Sequence, residues 1–342
     1  MKWDNSFSGI EYYSNVKSSS VEWIWYPYIP CGKITVLQGD PGEGKSTLIL
    51  HIAAILTKGA TLPDGNKIQN PMTVIYQCSE DSKGDTIKPR LERAGADCRK
   101  VAFIKDDDGD LTLDDERIEL AVKMTGAKLL VLDPIQAFIG KNGNMQSAVR
   151  MRETMTKLAN IASEYACAVV LVGHMNKTNG GKNIYRGLGS IDIAAAARSV
   201  LLVARDKDEP SKRYMLPIKS SLAPEGEPIA FELDRDKGFS WIGKCDINEL
   251  AAGQKSSAKK DMAVNYLHTI LAENDVASVK IFEEMSRYGF SKRTVQNAKK
   301  EAGIQAYKKG NAWYWHMERG AADDGTGEIC CKPGRTERED SC

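Results

Sequence analysis

The 342-residue sequence lacks the features that are typical of secreted proteins, of small zinc-binding domains and of membrane proteins. Its eight cysteines form no C-x-x-C pair, which is typical of reduced thiols and unlike a disulfide framework or a zinc site. There is no charged-then-apolar signal pattern at the N-terminus. No apolar run approaches the roughly 18 residues that a membrane-spanning helix needs. We therefore expect a cytoplasmic protein without a membrane partner.

An excess of charge of either sign is also missing. The chain has 47 Lys and Arg against 46 Asp and Glu, a formal net charge of +1. This balance excludes a protein that binds nucleic acid over its whole surface, so any such contact is local. The length indicates about two domains, and 42% hydrophobic residues are ordinary for a soluble globular chain.

What is present is a glycine-rich stretch, Gly32 to Thr47, with the sequence GKITVLQGDPGEGKST. An apolar β-branched run precedes its glycines and an apolar helical pattern follows, the context that a G-x-x-x-x-G-K-[ST] phosphate loop requires. Its backbone N–H groups and the helix N-terminus can surround an anion. Lys45 can reach the β- and γ-phosphates, and Ser46 can hold Mg²⁺. We predict a nucleoside triphosphate site formed by Gly39, Asp40, Pro41, Gly42, Glu43, Gly44, Lys45, Ser46 and Thr47.

Continuous apolar strands alternate with helices up to about residue 245, which predicts an α/β fold with a mostly parallel sheet covered on both faces. In such folds ligands bind at the carboxyl ends of the strands. The polar residues that follow four of these strands are Lys45, Glu80, Asp133 and His174. Because the strands are parallel, we expect these residues at one edge of the sheet.

Each acidic or imidazole side chain at this edge has a candidate role. Asp133, after Leu-Leu-Val-Leu, is expected to hold the Mg²⁺ shell. Glu80 is expected to orient and deprotonate the attacking water, with Asp81 as its rival. His174 could hydrogen-bond the γ-phosphate region and signal to the loop that follows, or could be a satisfied core histidine.

A second module follows the α/β domain. We predict a flexible segment at 1–20, the α/β domain at 21–249, a linker at 250–260, a small domain at 261–317 and a disordered tail at 318–342. Three helical patterns and a hairpin in 261–317 predict a winged helix-turn-helix. Residues 255–315 hold eleven Lys and Arg against six Asp and Glu. The candidate DNA contacts are Lys292, Arg293, Lys299 and Lys308, with Gln296, Lys300 and Lys309 beside them; the alternative is a protein-docking module.

The motifs GDPGEGKST, CSED, LLVLDP and LVGH, followed by YRGLGS, resemble the RecA-like ATPases. They are most similar to the branch of RepA-type hexameric helicases and RadA/KaiC-like proteins of phages and mobile elements. The resemblance covers about residues 21–245, and the C-terminal stretch resembles the winged helix of such proteins.

The resemblance implies a homo-oligomeric ring, a hexamer, with ATP and Mg²⁺ between neighbouring subunits. It implies a cation from the next subunit at the transferring phosphoryl group. Arg205 matches the position of the arginine that supplies this cation in the RepA-type enzymes. Lys219 matches the basic residue at the end of the following strand, and Arg186 and Arg198 are weaker candidates. The loops 138–147 and 176–190 take the place of DNA-facing loops, where the basic residues are Lys141, Lys177, Lys182 and Arg186.

Together these features favour a DNA-dependent ATPase motor, a homohexameric helicase that serves replication of a phage, plasmid or integrated element. Single-stranded DNA would pass through the ring, and duplex DNA could meet the winged helix. An ATP-switched DNA-binding regulator or recombination accessory protein is the alternative. A small-molecule P-loop kinase fits less well, because it leaves the C-terminal module unexplained.

Overall fold

The structure, a computed structural model, describes residues 11–105, 109–139, 148–174, 191–206, 208–246, 249–272, 274–310 and 312–317. The predicted tail at 318–342 lies outside these ranges. The strands are β1 Trp23–Trp25, β2 Ile29–Pro30, β3 Ile34–Gly39, β4 Val74–Cys78, β5 Val101–Ala102, β6 Leu129–Asp133, β7 Ala168–His174, β8 Ser199–Arg205, β9 Lys212–Ser220, β10 Ile229–Asp234, β11 Gly238–Lys244, β12 Val276–Ala277, β13 Gln305–Lys309 and β14 Ala312–His316. The helices are α1 Lys45–Lys58, α2 Lys88–Arg93, α3 Glu116–Thr125, α4 Ala148–Glu164, α5 Ile191–Ala196, α6 Glu249–Ile270, α7 Ser278–Arg287 and α8 Lys292–Glu301.

The main sheet has nine strands in the order β11-β10-β9-β8-β3-β7-β6-β4-β5. From β5 to β8 all neighbours pair in parallel, and β9, β10 and β11 add an antiparallel end. Every residue of β3 and β6 is buried, as expected of central strands that are covered on both faces. The prediction of a mostly parallel α/β sheet is confirmed.

The two faces of this sheet have separate cores because successive side chains of a strand point to opposite faces. On one face α1, α2 and the β1–β2 hairpin cover Leu37, Val131 and Val172. On the other face α3, α4 and α6 cover Val36, Leu132 and Leu171. The phosphate-loop helix and the C-terminal module therefore lie on opposite sides of the sheet.

The aromatic segment before the phosphate loop, residues 21–30, forms the two short strands β1 and β2 and packs on the core. Trp25 and Tyr28 are fully buried. The Trp25 indole donates to Asp64 at 3.1 Å, and the Tyr28 hydroxyl donates to the Glu227 carbonyl at 2.6 Å. These two residues anchor the hairpin on the core.

The predicted linker at 250–260 is helical, which corrects the expectation. It forms the first half of α6, which continues through Ile270 and packs against β9, β8 and α5. Ala, Gln and Lys dominate the sequence AAGQKSSAKK, and these residues favour a helix as readily as a loop. Of the predicted flexible segment, residues 11–20 are exposed and contain one short helical turn, Tyr13–Asn15.

The C-terminal module, residues 261–317, contains the end of α6, then α7 and α8, and a three-stranded sheet in the order β12-β14-β13. Ser291 caps α8, where its hydroxyl accepts a hydrogen bond from the Thr294 N–H at 3.2 Å. The predicted helices and hairpin are present, and their classification as a winged helix stays a prediction.

Candidate nucleotide-binding site

The glycines of the phosphate loop meet steric limits that only glycine satisfies. Gly42 and Gly44 have φ of +80° and +90°, in the left-handed region. A Cβ at Gly39 would collide with the Val203 carbonyl oxygen of β8. The loop is therefore held against the neighbouring strand while its turn leads directly into α1.

Lys45 is buried, with 3% of its surface exposed, at the first position of α1. Its ammonium donates to the carbonyls of Gly39 and Asp40, both at 2.9 Å. Burial lowers the pKa of Lys45, and the nearby carboxylates of Asp133, Glu43, Asp40 and Glu80 oppose this shift. The loop thus folds around the cation that a polyphosphate would meet.

Asp133 ends β6 at the same edge, with 3% of its surface exposed. Its carboxylate accepts a 2.6 Å hydrogen bond from the Tyr76 hydroxyl on β4, and this bond and burial raise the pKa of Tyr76 well above its usual range. Tyr76 was missed by the sequence reasoning. Its signal is weak, because a tyrosine inside an apolar strand is normally core packing.

Glu80 and its rival Asp81 differ in their partners. The Asp81 carboxylate accepts from Arg90 of α2 at 2.7 Å and is committed to that ion pair. Glu80 is exposed, and its charge acts on Lys45. The geometry therefore favours Glu80 over Asp81 as the carboxylate that faces the phosphates.

Arg205, at the end of β8, contacts the phosphate loop of its own chain. Its guanidinium donates to the Gly42 carbonyl at 2.9 Å and lies 3.7 Å from the Glu43 carboxylate. Desolvation raises the pKa of Glu43, although Arg205 and Arg213 act to lower it. Its role at the nucleotide of a neighbouring subunit stays a prediction. Arg205 lies beside the loop of its own chain because β8 runs parallel to β3, so both strands end at the same edge.

Arg213, at the start of β9, is a second residue that the sequence reasoning missed. It is 6% exposed, and its guanidinium donates to the carbonyls of Pro210, Ser211 and Leu233 at 3.0, 2.8 and 3.3 Å. A Cβ at Gly44 would lie only 3.4 Å from its Cδ atom. Arg213 therefore packs against Gly44 of the phosphate loop. Its only signal in the sequence was an arginine at the start of an apolar strand.

Lys219 lies at the other end of β9 and is 4% exposed. Its ammonium donates to the Ala194 carbonyl of α5 at 3.0 Å and lies 5.5 Å from the Tyr288 ring of the C-terminal module. Burial lowers the pKa of Lys219 to about 8, and Arg198 adds to the shift. Within this chain α5 and the C-terminal module cover this end of the strand, and the role of Lys219 at the phosphoryl group stays a prediction.

The remaining predicted residues fall into three groups. His174 ends β7 and pairs in register with Gly39, so its backbone lies at the predicted edge. Lys141, Lys177, Lys182 and Arg186 lie outside the described residues, and their DNA contacts stay predictions. In the C-terminal module Lys292, Arg293 and Lys308 are exposed, and the Lys299 ammonium lies 4.9 Å from the Trp315 ring.

These residues fit a nucleotide with Mg²⁺. The positive-φ glycines leave the loop concave, and the buried Lys45 ammonium donates to two loop carbonyls that a phosphate could replace. Asp133 keeps a second carboxylate oxygen beyond the Tyr76 bond. Ser46, half-buried on the first turn of α1, and Asp133 are the residues that would hold the metal.

Among the described helices, none is long and apolar enough to cross a membrane.

Comparison with known proteins gives the following matches. Residues 12–180 match a family described as an AAA domain. Over 150 residues the chain is 27% identical to the DNA repair protein RadA of Chlamydia muridarum. The matched residues make up 43% of this chain and 29% of that protein. RadA of Campylobacter jejuni is 29% identical over 148 residues, with 43% and 29% covered. The matched part thus spans about three tenths of the length of these relatives. A solved KaiC-like protein of Pyrococcus horikoshii is 23% identical, with a TM-score of 0.44 over 63% of this chain and 91% of that chain.

Proposed function

We propose that this chain, which matches an AAA domain family over residues 12–180 and is similar to RadA, is a RecA-like P-loop ATPase that uses ATP with Mg²⁺ and works as a DNA-dependent motor, a homohexameric DNA helicase. The observation that carries the proposal is the cluster at the carboxyl edge of the sheet. It combines a buried Lys45, a buried Asp133 and an exposed Glu80. This set has the charges that phosphoryl transfer to water requires.

Each residue of the cluster has one task in this proposal. Lys45 exchanges its two loop carbonyls for phosphate oxygens, and its buried position strengthens that contact. Ser46 and Asp133 would hold Mg²⁺, which when bound would supply positive charge beside the phosphates. Glu80 orients a water and accepts its proton, because Asp81 is already paired with Arg90. His174 couples the state of the site to the loop that follows β7.

Arg205 takes a different part from the one that the resemblance implies. Because its guanidinium contacts Gly42 and Glu43 of the same chain, we propose that it stabilises the phosphate loop and senses nucleotide in cis. The cation that a neighbouring subunit would supply then comes from another residue, with Arg186 and Arg198 as candidates. Arg198 is exposed at the opposite end of β8 from the phosphate loop.

DNA and a second copy of the chain are the proposed partners, and a cytoplasmic location is proposed with them. The similarity to RadA, a DNA repair protein, supports DNA as the partner. The loops at 138–147 and 176–190 would face single-stranded DNA, and the basic α8 would face duplex DNA.

The experiment that tests the proposal is steady-state ATP hydrolysis with and without single-stranded DNA. Wild type should be stimulated several-fold by DNA. Glu80→Gln should lose roughly 10²–10⁴-fold of its turnover, the usual contribution of a general base, while it still binds ATP. Asp81→Asn is the matched control and should keep most of the turnover. Turnover that ignores DNA, or a fully active Glu80→Gln variant, would contradict the proposal.

An ATP-switched DNA-binding protein that assembles on DNA without unwinding it is the second candidate. It is favoured by the way that α6 packs the C-terminal module on β8 and β9, because a fixed module suits an assembly better than a tether. It predicts ATP-dependent binding to DNA, measured by light scattering, without strand displacement.

A further inference from the structure

The outer face of the hairpin formed by β13 and β14 carries aromatic side chains that the core does not use. In the register of the hairpin Tyr307 faces Tyr314, and Lys309 faces Ala312 on the same side. The two tyrosine rings are stacked, with centroids 6.0 Å apart and planes 24° apart. The opposite side carries Trp315, which is buried against Phe282. Tyr307 and Tyr314 are therefore on the solvent side of the sheet.

The Asp275 carboxylate fixes Tyr307, one ring of this pair, and also contacts His316. The Tyr307 hydroxyl donates to Asp275 at 2.8 Å, and the Nδ1 atom of His316 lies 3.0 Å from the other oxygen of the same carboxylate. The bond to Asp275 also raises the pKa of Tyr307. The Tyr307 ring is 39% exposed and yet held in one orientation. A planar ligand that stacks on it would lose little side-chain entropy in the protein.

The charges around the pair select the ligand. All five residues of β13 are exposed, and Lys308 and Lys309 are adjacent at its end. Residues 255–315 carry an excess of five positive charges. Exposed Trp313 stands opposite Lys308 at the edge of the other face. An extended peptide could add to β13 as an edge strand, but adjacent lysines oppose such pairing. Rings with flanking cations favour a chain of stacked bases on a phosphate backbone.

We propose that the outer face of the β13–β14 hairpin binds unpaired bases of a single-stranded nucleic acid, which stack on Tyr307 and Tyr314 while Lys309, on the same face, contacts the backbone and Lys308 adds positive charge from the edge of the other face. This site deepens the proposed function, because it adds a single-strand contact to a module for which only duplex binding was expected. The module would then recognise the boundary between paired and unpaired strands, with α8 on the duplex and the hairpin on the free strand.

The test is the affinity of the full chain, without nucleotide, for fluorescein-labelled oligothymidylate and for a duplex, measured by anisotropy. Tyr307→Ala should weaken oligothymidylate binding roughly tenfold and leave duplex binding within about twofold. Tyr307→Phe keeps the ring and should retain most of the affinity. Tyr13→Ala, which removes a tyrosine that is 94% exposed outside the module, is the matched control. Thermal unfolding of each variant confirms that it is folded.

Photocrosslinking with an iodouracil-substituted strand gives an independent readout. Crosslinks mapped to the β13–β14 peptide support the site, and an oligouridylate arm tells whether RNA is accepted equally. Unchanged oligothymidylate affinity in Tyr307→Ala, or an equal loss for duplex, would overturn the inference. If ATP turnover ignores DNA but the Tyr307→Ala effect is present, the proposed motor fails and the binding site stands.

Discussion

The cations of the nucleotide site and those of the C-terminal module are held in opposite ways. Lys45 and Arg213 are buried and bonded to backbone carbonyls, whereas Lys292, Arg293 and Lys308 are exposed on a helix and a hairpin. A buried, oriented cation suits a small ligand whose charges always occupy the same positions. Exposed cations suit a long polyanion, because their attraction is additive and screened by salt. The first region should therefore respond to single substitutions, and the second to ionic strength.

The largest expected effect is at the buried cation of the phosphate loop. Lys45→Ala should lower ATP turnover by roughly 10²–10³-fold or more, because no other buried cation donates to the loop carbonyls of Gly39 and Asp40 among the described hydrogen bonds. Steady-state hydrolysis measures the loss. Lys58→Ala, an exposed lysine at the end of the same helix, is the control and should behave as wild type. An equal loss of ATP turnover in both variants would contradict the proposed difference between buried and exposed cations.

The buried Lys219 should make stability depend on pH. Its pKa is lowered to about 8 in the folded state from 10.5, so between these values the unfolded chain binds more protons and stability rises with pH. The gain of wild type relative to Lys219→Met, from pH 7 to about 10.5, should reach up to about 3 kcal/mol. Urea unfolding at several pH values measures it. A difference between the two proteins that stays constant with pH would contradict the burial of a charged lysine, and Lys212→Met at the other end of β9 is the control.

The smallest expected effect belongs to the exposed region. Replacement of Lys308 and Lys309 by Ala should reduce the slope of log affinity against log salt by about 0.7 for each lysine that contacts a phosphate of a single strand. Affinity at moderate salt should fall only a few-fold, and ATP turnover without DNA should not change. Anisotropy titrations over a range of salt concentrations measure the slope. An unchanged slope would remove these lysines from the DNA contact.

Much of this arrangement follows from local sequence, and the exceptions have a common cause. The phosphate loop, Asp133 and the order of strands and helices could be predicted because each depends on a short stretch with its own periodicity. Tyr76, Arg213 and the cis contact of Arg205 could not, because each depends on which strands are neighbours. The burial of Lys219 could not be predicted either, because it depends on how α5 and the C-terminal module pack against the end of β9.

The most direct test of the account is strand displacement on a forked DNA substrate with ATP. The account predicts that wild type releases the labelled strand in an ATP-dependent manner, that Glu80→Gln binds the fork without releasing it, and that Tyr307→Ala releases it more slowly at limiting protein. Binding of the fork by wild type with ATP hydrolysis but without release of the strand would contradict the motor and leave the ATP-switched DNA-binding protein.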